Sequence, residues 1–379
     1  MVKLKTGNWM WFWIIGGSVA ISLGMIFLQI PATALPVTAV NQYQAAMRVA
    51  RDFQAHQYAP DELQMAESEW QKAMELWKLE NQKWFWQRDY SSVIQTLSTA
   101  ATHAEIAGKS SIHRKQSIIE TVNKQLSRIS LKTRFFEKQY GNLPLSRQIK
   151  KNLGQSGLLL NEATSAIDRG ENTVAQSRLV KSEAFIDQSI TALEKQLTGY
   201  FAGLAQWQVW VKDAINQSKR NRENVIIIDK MALTCNIYNA GKLVFTAPIE
   251  MGPNWMGDKN QRGDRKTPEG IYSISDKKSG SQTRYYKALL INYPNELDRR
   301  RFNAAKSTGD LSQKAQIGGL IEVHGDGGKG FHWTDGCIAL TNTDMDQVFQ
   351  KARVGTRIVI VGSLKPMSAY FSKINLSVN

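Results

Sequence analysis

In the stretch HGDGGKGFHWTDGCIAL, residues 324–340, two of the chain's five histidines and one of its two cysteines share a single glycine-rich loop. A cysteine attacks as the thiolate, so a thiol of ordinary pKa, about 8.5, needs a lowered value or a base beside it. Histidine is the usual base. His324 ends the apolar run GGLIEVH, which can hold an imidazole rigidly, and Cys337 follows Gly336 on the turn into Ile338-Ala339-Leu340. A strand end facing a tight turn can set the ring against the sulfur. Gly336 also allows backbone N–H groups near Cys337 to turn inward and hold an oxyanion. Two other readings remain open from the residues. His324, His332 and Cys337 could be soft metal ligands, although their spacing matches no zinc signature and no CxxC pair is present. The stretch could also be a structural loop around a buried cysteine.

The other cysteine, Cys235 in LTCNIY, alternates with Leu233 and Ile237 onto one strand face. It reads as a small core hydrophobe, not as a disulfide partner of Cys337.

Two kinds of periodicity surround the loop. From about 41 to 222 the pattern is helical. Leu63, Ala66, Trp70, Ala73 and Trp77 recur at spacings of three and four. So do Val93, Leu97, Ala100, Ala104 and Ala107, then Ile119, Val122, Leu126 and Ile129, then Ile186, Ile190, Leu193 and Leu197. Each set makes one apolar stripe of a helix, and stripes joined by short breaks such as GNLP and DRGEN predict an antiparallel bundle or extended coiled coil. Pro60-Asp61 is a helix start. His56, His103 and His113 are scattered here with no cysteine or carboxylate cluster beside them, and read as surface or capped side chains. After Arg222 the period becomes two. NVIIIDK, MALTCNIY, KLVFTAPI, GIYSIS, KALLINYP, GGLIEVH and TRIVIVG read as strands, with a hairpin turn at NAG. NELDRRRFNAAK and the Asn-capped NTDMDQVFQKA read as two small helices. The fold class is therefore α+β and multidomain: a cytoplasmic tip, membrane helix and short extended linker at 1–40, a helical domain at 41–222, a mostly β catalytic domain at 223–363, and a tail at 364–379.

The chain of 379 residues is too long for one ordinary core. Its formal net charge of +15 favours anionic surroundings, such as a membrane face or an acidic wall polymer. No finger, recognition helix or aromatic RNA-binding motif appears, which argues against nucleic acid. From Trp9 to Ile30 there is no charged residue, a run that meets the about 20 residues a membrane-spanning helix needs. Lys3 and Lys5 precede it, so the positive-inside rule leaves the N-terminus in the cytoplasm and exports the rest. The expected location is the cytoplasmic membrane, with a single-pass anchor and the catalytic domain on the extracytoplasmic side. A signal peptide cleaved after Ala34, in PATA, is the alternative.

His324-Gly325 followed by Thr334-Asp335-Gly336-Cys337 resembles the hallmark of the L,D-transpeptidase (YkuD-type) catalytic domain, a His-Gly pair, a loop, then Ser/Thr-x-Gly-Cys. VIIIDKMALTCNIYNAGKLVFTAPIEMG is similar to that family's opening strands, RKTPEGIYSI to its Thr-Pro-x-Gly segment and LINYPNELD to the stretch that follows. The resemblance spans about residues 223 to 363 and leaves the helical region, and any partner of it, unrecognised. Where the family often has His before Gly-Cys this chain has Asp335, and where it often has Arg or Asn two residues after the cysteine this chain has Ala339. The loop between His and Cys is also shorter than in many members. These departures bear on substrate choice more than on mechanism.

The resemblance implies a β-rich, sandwich-like domain with a mixed sheet, and acyl transfer on peptidoglycan stem peptides without metal or organic cofactor. It implies Cys337 as nucleophile, His324 as base, the Gly325 carbonyl as the group orienting the ring, and the N–H groups of Gly336 and Cys337 at the oxyanion. His332, Trp333, Thr334 and Asp335 are candidates for substrate contact. The same chemistry resolved by water would be an L,D-carboxypeptidase or amidase, and a non-catalytic wall-binding scaffold is the rival of a different class. For topology, the expected outcome is an uncleaved N-terminus with residues 40 to 379 outside the cytoplasm. N-terminal sequencing of the membrane fraction that begins near Leu35 would refute the anchor.

Overall fold

Alanine and leucine stripes on long uncharged helix faces bury best against one another, and the helical region does this. The computed structural model describes residues 34–372. The uncharged run at Trp9–Ile30 lies outside them, and among the described residues no helix is long and apolar enough to cross a membrane. The helices are α1 Val37–Asp52, α2 Ala55–Tyr58, α3 Pro60–Asn81, α4 Ser91–Tyr140, α5 Arg147–Asp168, α6 Asn172–Phe201 and α7 Leu204–Asn221. The expected extended linker ends early, because residues 37–40 already form the first turn of α1. The second and third apolar stripes belong to one continuous helix, α4.

The described chain divides into two compact units. The first takes the chain up to Lys124 together with Ala166–Gln176. Its cores are lined by Ala66, Ala73, Leu97, Ala100 and Ala104, all closed to solvent, with Trp70 stacked on Tyr43 at 4.4 Å. The small side chains let the helices approach closely, and the aromatic pair fills the wider gap.

The second unit takes Gln125–Ser165 and the chain from Ser177 onward. Here Ile186, Leu193, Leu197 and Tyr200 of α6 and Trp207 of α7 share one core with the strands. Tyr200 donates its hydroxyl to the Gly362 carbonyl at 2.7 Å, and Trp207 lies so close to Gly362 that a Cβ there would meet its ring at 2.2 Å. The strands are β1 Asn224–Asp229, β2 Thr234–Asn239, β3 Lys242–Pro248, β4 Gly270–Ser279, β5 Lys287–Ile291, β6 Glu322–His324, β7 Ile338–Ala339 and β8 Arg357–Val361. Helix α8, Glu296–Ser307, precedes β6, and α9, Asn342–Lys351, precedes β8. The cap of α9 is Thr341, whose side chain accepts from the Asp344 N–H, and not Asn342 as the sequence pattern suggests. The sheet runs β3-β2-β1-β8-β4-β5-β6-β7, mixed, with β1–β8 and β6–β7 parallel. A bulge at Ile274/Asp276 bends β4. The two ends of this order then meet: Glu250, just past edge strand β3, exchanges both backbone hydrogen bonds with Ala339 of edge strand β7, at 2.9 and 2.8 Å. The curled sheet is thus closed on itself at the loop that carries the chemistry.

Lys230, at the end of β1, is fully buried. Its three donors all find partners: the Gly257 carbonyl at 2.8 Å, the Thr267 carbonyl at 3.0 Å and Glu269 Oε1 at 2.8 Å. Two of these belong to Thr267-Pro268-Glu269-Gly270, so the Thr-Pro-x-Gly segment is where the chain from 257 to 269 is pinned to the core. Removing one partner of a buried pair leaves the other charge uncompensated. Lys230→Met should therefore destabilise the protein by roughly 3–5 kcal/mol, and adding Glu269→Gln should recover much of that. Urea denaturation of the variants followed by tryptophan fluorescence checks this; an equal loss in the single and double variants would refute it.

Candidate active site

Strand β6 places His324 between β5 and β7, paired in register with Ala288 on one side and Ala339 on the other. Its imidazole is closed to solvent. It stacks on Tyr285 with centroids 3.6 Å apart and takes the edge of Trp333 at 5.7 Å. Nδ1 is 2.6 Å from the Gly325 carbonyl. A carbonyl can only accept, so the proton sits on Nδ1 and Nε2 carries a bare lone pair. That Nε2 is buried without a hydrogen-bond partner. Burial pushes the imidazole below its usual pKa, against the opposing pull of the Gly325 carbonyl and the nearby Glu322 and Asp326.

Cys337 reaches the same face by register. Val323 pairs with Ile338 in parallel, so one step back sets Cys337 beside Glu322, and strand alternation puts Glu322 and His324 on one face. The turn before it needs a glycine. Gly336 has φ +126°, and a Cβ there would lie 2.5 Å from the Lys266 carbonyl. Thr334 ties the turn together, donating its hydroxyl to the Cys337 carbonyl at 2.7 Å and accepting from the Gly336 N–H at 3.3 Å. The half-buried thiol donates to the Leu320 carbonyl at 3.6 Å. Burial pushes its pKa up to about 11, opposed by the Glu322 N–H and by Arg284 and Lys259. Cys235 is fully buried on β2 and its pKa is pushed up to about 12.

The remaining loop residues take unequal places. His332 uses Nδ1 to accept the Met251 N–H at 3.1 Å, and it sits against Trp255 at 6.0 Å. The arrangement is a brace between two loop segments. Trp333 donates its indole N–H to Glu250 Oε2 at 2.8 Å, with the Lys329 ammonium over its ring at 3.4 Å. Asp335 is the outlier, nearly fully exposed and facing Arg265 at 3.7 Å. His324, His332 and Cys337 do not converge on a common point, and among the described residues no group of His, Cys, Asp or Glu side chains is arranged to hold a metal.

Glu250 is the site residue that sequence reasoning passed over. Besides its backbone bridge to Ala339, its carboxylate accepts from the Gly330 N–H at 2.6 Å and from Trp333. Met251 adds the His332 contact and accepts the Thr334 N–H at 3.1 Å. In the sequence Glu250-Met251 ends what looks like an ordinary strand, and no local signal marks it as the clamp of a loop more than seventy residues later.

Strand register thus brings a half-buried thiol and a buried imidazole to one face at the closed edge of a curled mixed sheet. Residues 223–360 match the family model of the L,D-transpeptidase catalytic domain, YkuD, and form a domain of that family. Among curated proteins, "Putative L,D-transpeptidase YafK" of Escherichia coli (strain K12) is 34% identical over 95 residues, 25% of this chain and 31% of that protein. The chain thus spans about a third of the length of that relative. Among solved structures, an L,D-transpeptidase from Mycobacterium smegmatis is 15% identical with a TM-score of 0.25, over 36% of this chain and 58% of that one. The L,D-transpeptidase from Xylanimonas cellulosilytica is 16% identical with a TM-score of 0.25, over 36% and 60%.

The two thiols should report their surroundings directly. With a pKa of about 11, alkylation of Cys337 by iodoacetamide should rise about tenfold per pH unit between pH 7 and 10. Cys235 should stay unmodified until the protein unfolds. A Cys337 rate that levels off near neutral pH would instead indicate a standing thiolate–imidazolium pair.

Proposed function

We propose that this protein is an L,D-transpeptidase that transfers a peptidoglycan stem-peptide acyl group through a thioester on Cys337, with His324 as its base. The observation that carries the reading is the single tautomer of His324. Its Nδ1–H is held by the Gly325 carbonyl, and its bare, buried Nε2 lies on the sheet face that carries the thiol. With both partners desolvated, the resting pair is a neutral thiol and a neutral imidazole, and the proton moves only as the carbonyl arrives. Nε2 takes the thiol proton while Sγ attacks the carbonyl of the residue before the terminal D-amino acid. The oxyanion forms beside the N–H groups of Cys337 and Gly336, the second of which exchanges its long bond to Thr334 for a stronger one to the anion. On collapse the C–N bond breaks, the imidazolium protonates the leaving amine, and the acyl group stays on sulfur. An amine of a second stem then resolves the thioester.

The family of the catalytic domain supports this substrate class. We place the domain outside the cytoplasmic membrane on the strength of Lys3, Lys5 and the uncharged run from Trp9 to Ile30, with the basic chain near anionic wall or lipid groups.

Incubation of the purified protein with a tetrapeptide muropeptide, followed by intact mass measurement, should show an acyl adduct on Cys337. Cys337→Ala should abolish it and Cys235→Ala should not. His324→Ala should slow adduct formation by roughly 10²–10⁴-fold. Raising the pH toward the thiol pKa should partly restore it, because ionisation by solvent then replaces the missing base. An adduct that survives Cys337→Ala, or an active His324→Ala variant at neutral pH, would refute the assignment.

A further inference from the structure

The order of contacts along the first unit fixes the direction of its helices. Ala39 of α1 shares a core with Ala73 of α3 and with Tyr90 and Val93 at the start of α4. Further along, Tyr43, Ala46 and Met47 meet Ala66, Ala100 and Ala104. Then Ala50 meets Ala59 and Ala107. As α1 advances, its partners fall along α3 and rise along α4, so α1 runs antiparallel to α3 and parallel to α4. The start of α1, the end of α3 and the start of α4 therefore lie at one end of this unit. Only residues 31–36 separate Val37 from the uncharged run Trp9–Ile30. The seven steps from Ile30 to Val37 reach at most about 25 Å.

That end carries a loop that does not bury its largest side chains. Between α3 and α4, in QKWFWQRDY, Trp84 is 69% exposed and Phe85 58%, and Trp86 is exposed as well. Leu35, Val37 and Leu79, at the same end, are exposed too. The three rings are grouped: Trp84 and Trp86 stack at 5.3 Å with planes 13° apart, and Phe85 and Trp86 meet edge to face at 4.7 Å. The backbone beneath them is fixed by its own bonds. Arg88 donates to the Asn81 and Lys83 carbonyls at 3.1 and 3.0 Å, Tyr90 donates its hydroxyl to Asn81 Oδ1 at 2.7 Å, and Glu80 accepts the Asp89 N–H at 3.1 Å. From Ala73, helix α3 runs eight residues on to Asn81, about 12 Å at the usual helical rise. Helix α1 starts only two residues before Ala39, so the tip stands beyond the start of α1. Water disfavours such a cluster of exposed rings, which marks an interaction surface.

We propose that Trp84, Phe85 and Trp86 seat in the headgroup–acyl boundary of the membrane that holds the uncharged run, and so give the protein a second contact with that membrane. The proposal rests on the membrane placement above and adds a surface of the first unit that meets the bilayer. The residue types favour lipid. Tryptophan concentrates at this boundary because its ring is apolar while its indole N–H is polar. The shape favours lipid as well. A peptide or a small ligand is held in a concave site, whereas a bilayer accepts a projecting point. The chain's own course places the bilayer here, since the uncharged run ends within reach of the same end of the unit. Arg88 gives its donors to neutral backbone carbonyls and so keeps a positive charge beside the rings, where lipid phosphate lies once they are seated.

The test uses the full chain in vesicles of phosphatidylcholine and phosphatidylglycerol, with Cys337→Ala to remove the accessible thiol and an environment-sensitive fluorophore on Gln87→Cys. Gln87 is exposed next to the rings, and labelling it leaves all three in place. Flotation first reports whether the chain is held in the membrane. In the floated vesicles, lipid carrying a doxyl group near its headgroup should quench the Gln87 probe. The same fluorophore on Met65→Cys, exposed near the other end of α3, should keep its intensity. Trp84→Ser with Trp86→Ser changes exposed side chains, and should remove most of the Gln87 quenching while the chain still floats on its uncharged run. An unquenched Gln87 probe in the parent overturns the proposal, and if its emission is also shifted to the blue, protein and not lipid covers the tip. Equal quenching at Met65 and Gln87, or quenching that survives in the double variant, overturns it too, because the loop is then only carried close to the surface. If the parent does not float at all, the membrane placement fails and the contact with it, an outcome distinct from a chain that floats with an unquenched tip.

Discussion

The catalytic domain depends on a closure made at one point. Glu250 and Ala339 exchange two backbone hydrogen bonds and so join the strand after one sheet edge to the other edge. An open sheet of this order would leave β7, with only two residues, as a frayed margin. Joined to Glu250, β7 becomes a fixed support, and Cys337 immediately before it inherits the position. The same short strap then holds the rest of the loop from outside, through the Glu250 carboxylate on Gly330 and Trp333 and through Met251 on His332 and Thr334. A glycine-rich loop can approach closely without clashes, but it has no stiffness of its own. The strap supplies that stiffness.

Burial then decides the chemistry. His324 is closed to solvent and Cys337 is half-buried, and desolvation disfavours the charged form of each. The charges near the thiol oppose one another, because Glu322 raises its pKa while Arg284 and Lys259 lower it. Burial pushes the thiol pKa up and the imidazole pKa down, and both shifts favour the neutral form. The orientation of the ring is set by Gly325, Tyr285 and Trp333.

The segment before the Thr-Pro-x-Gly motif is held by buried charge. Lys230 holds Gly257, Thr267 and Glu269, and Lys259 with Asp264 folds the turn that follows Asp258. Polar groups at this depth are costly unless every donor and acceptor is matched. The three bonds of Lys230 pin the segment from 257 to 269, which carries Arg265 and places the Lys266 carbonyl against Gly336.

The sequence by itself determined the change from a helical to a strand period near Arg222, the hairpin at NAG, the two small helices of the catalytic domain, and the pairing of His-Gly with Gly-Cys in one loop. These are local properties, since periodicity reports which face of an element is buried and glycine reports where the backbone must turn. Only the tertiary structure decided which nitrogen of His324 is free, because that depends on a carbonyl brought beside the ring. It alone bound His332 to the Met251 N–H, gave Glu250 its place across the loop, and set Arg265 opposite Asp335. It also moved the helix cap to Thr341 and began α1 at Val37 where an extended linker was expected. Each of these rests on a contact between residues far apart in the chain, or on competition between adjacent polar groups for one N–H. Neither leaves a mark in the spacing of residue types.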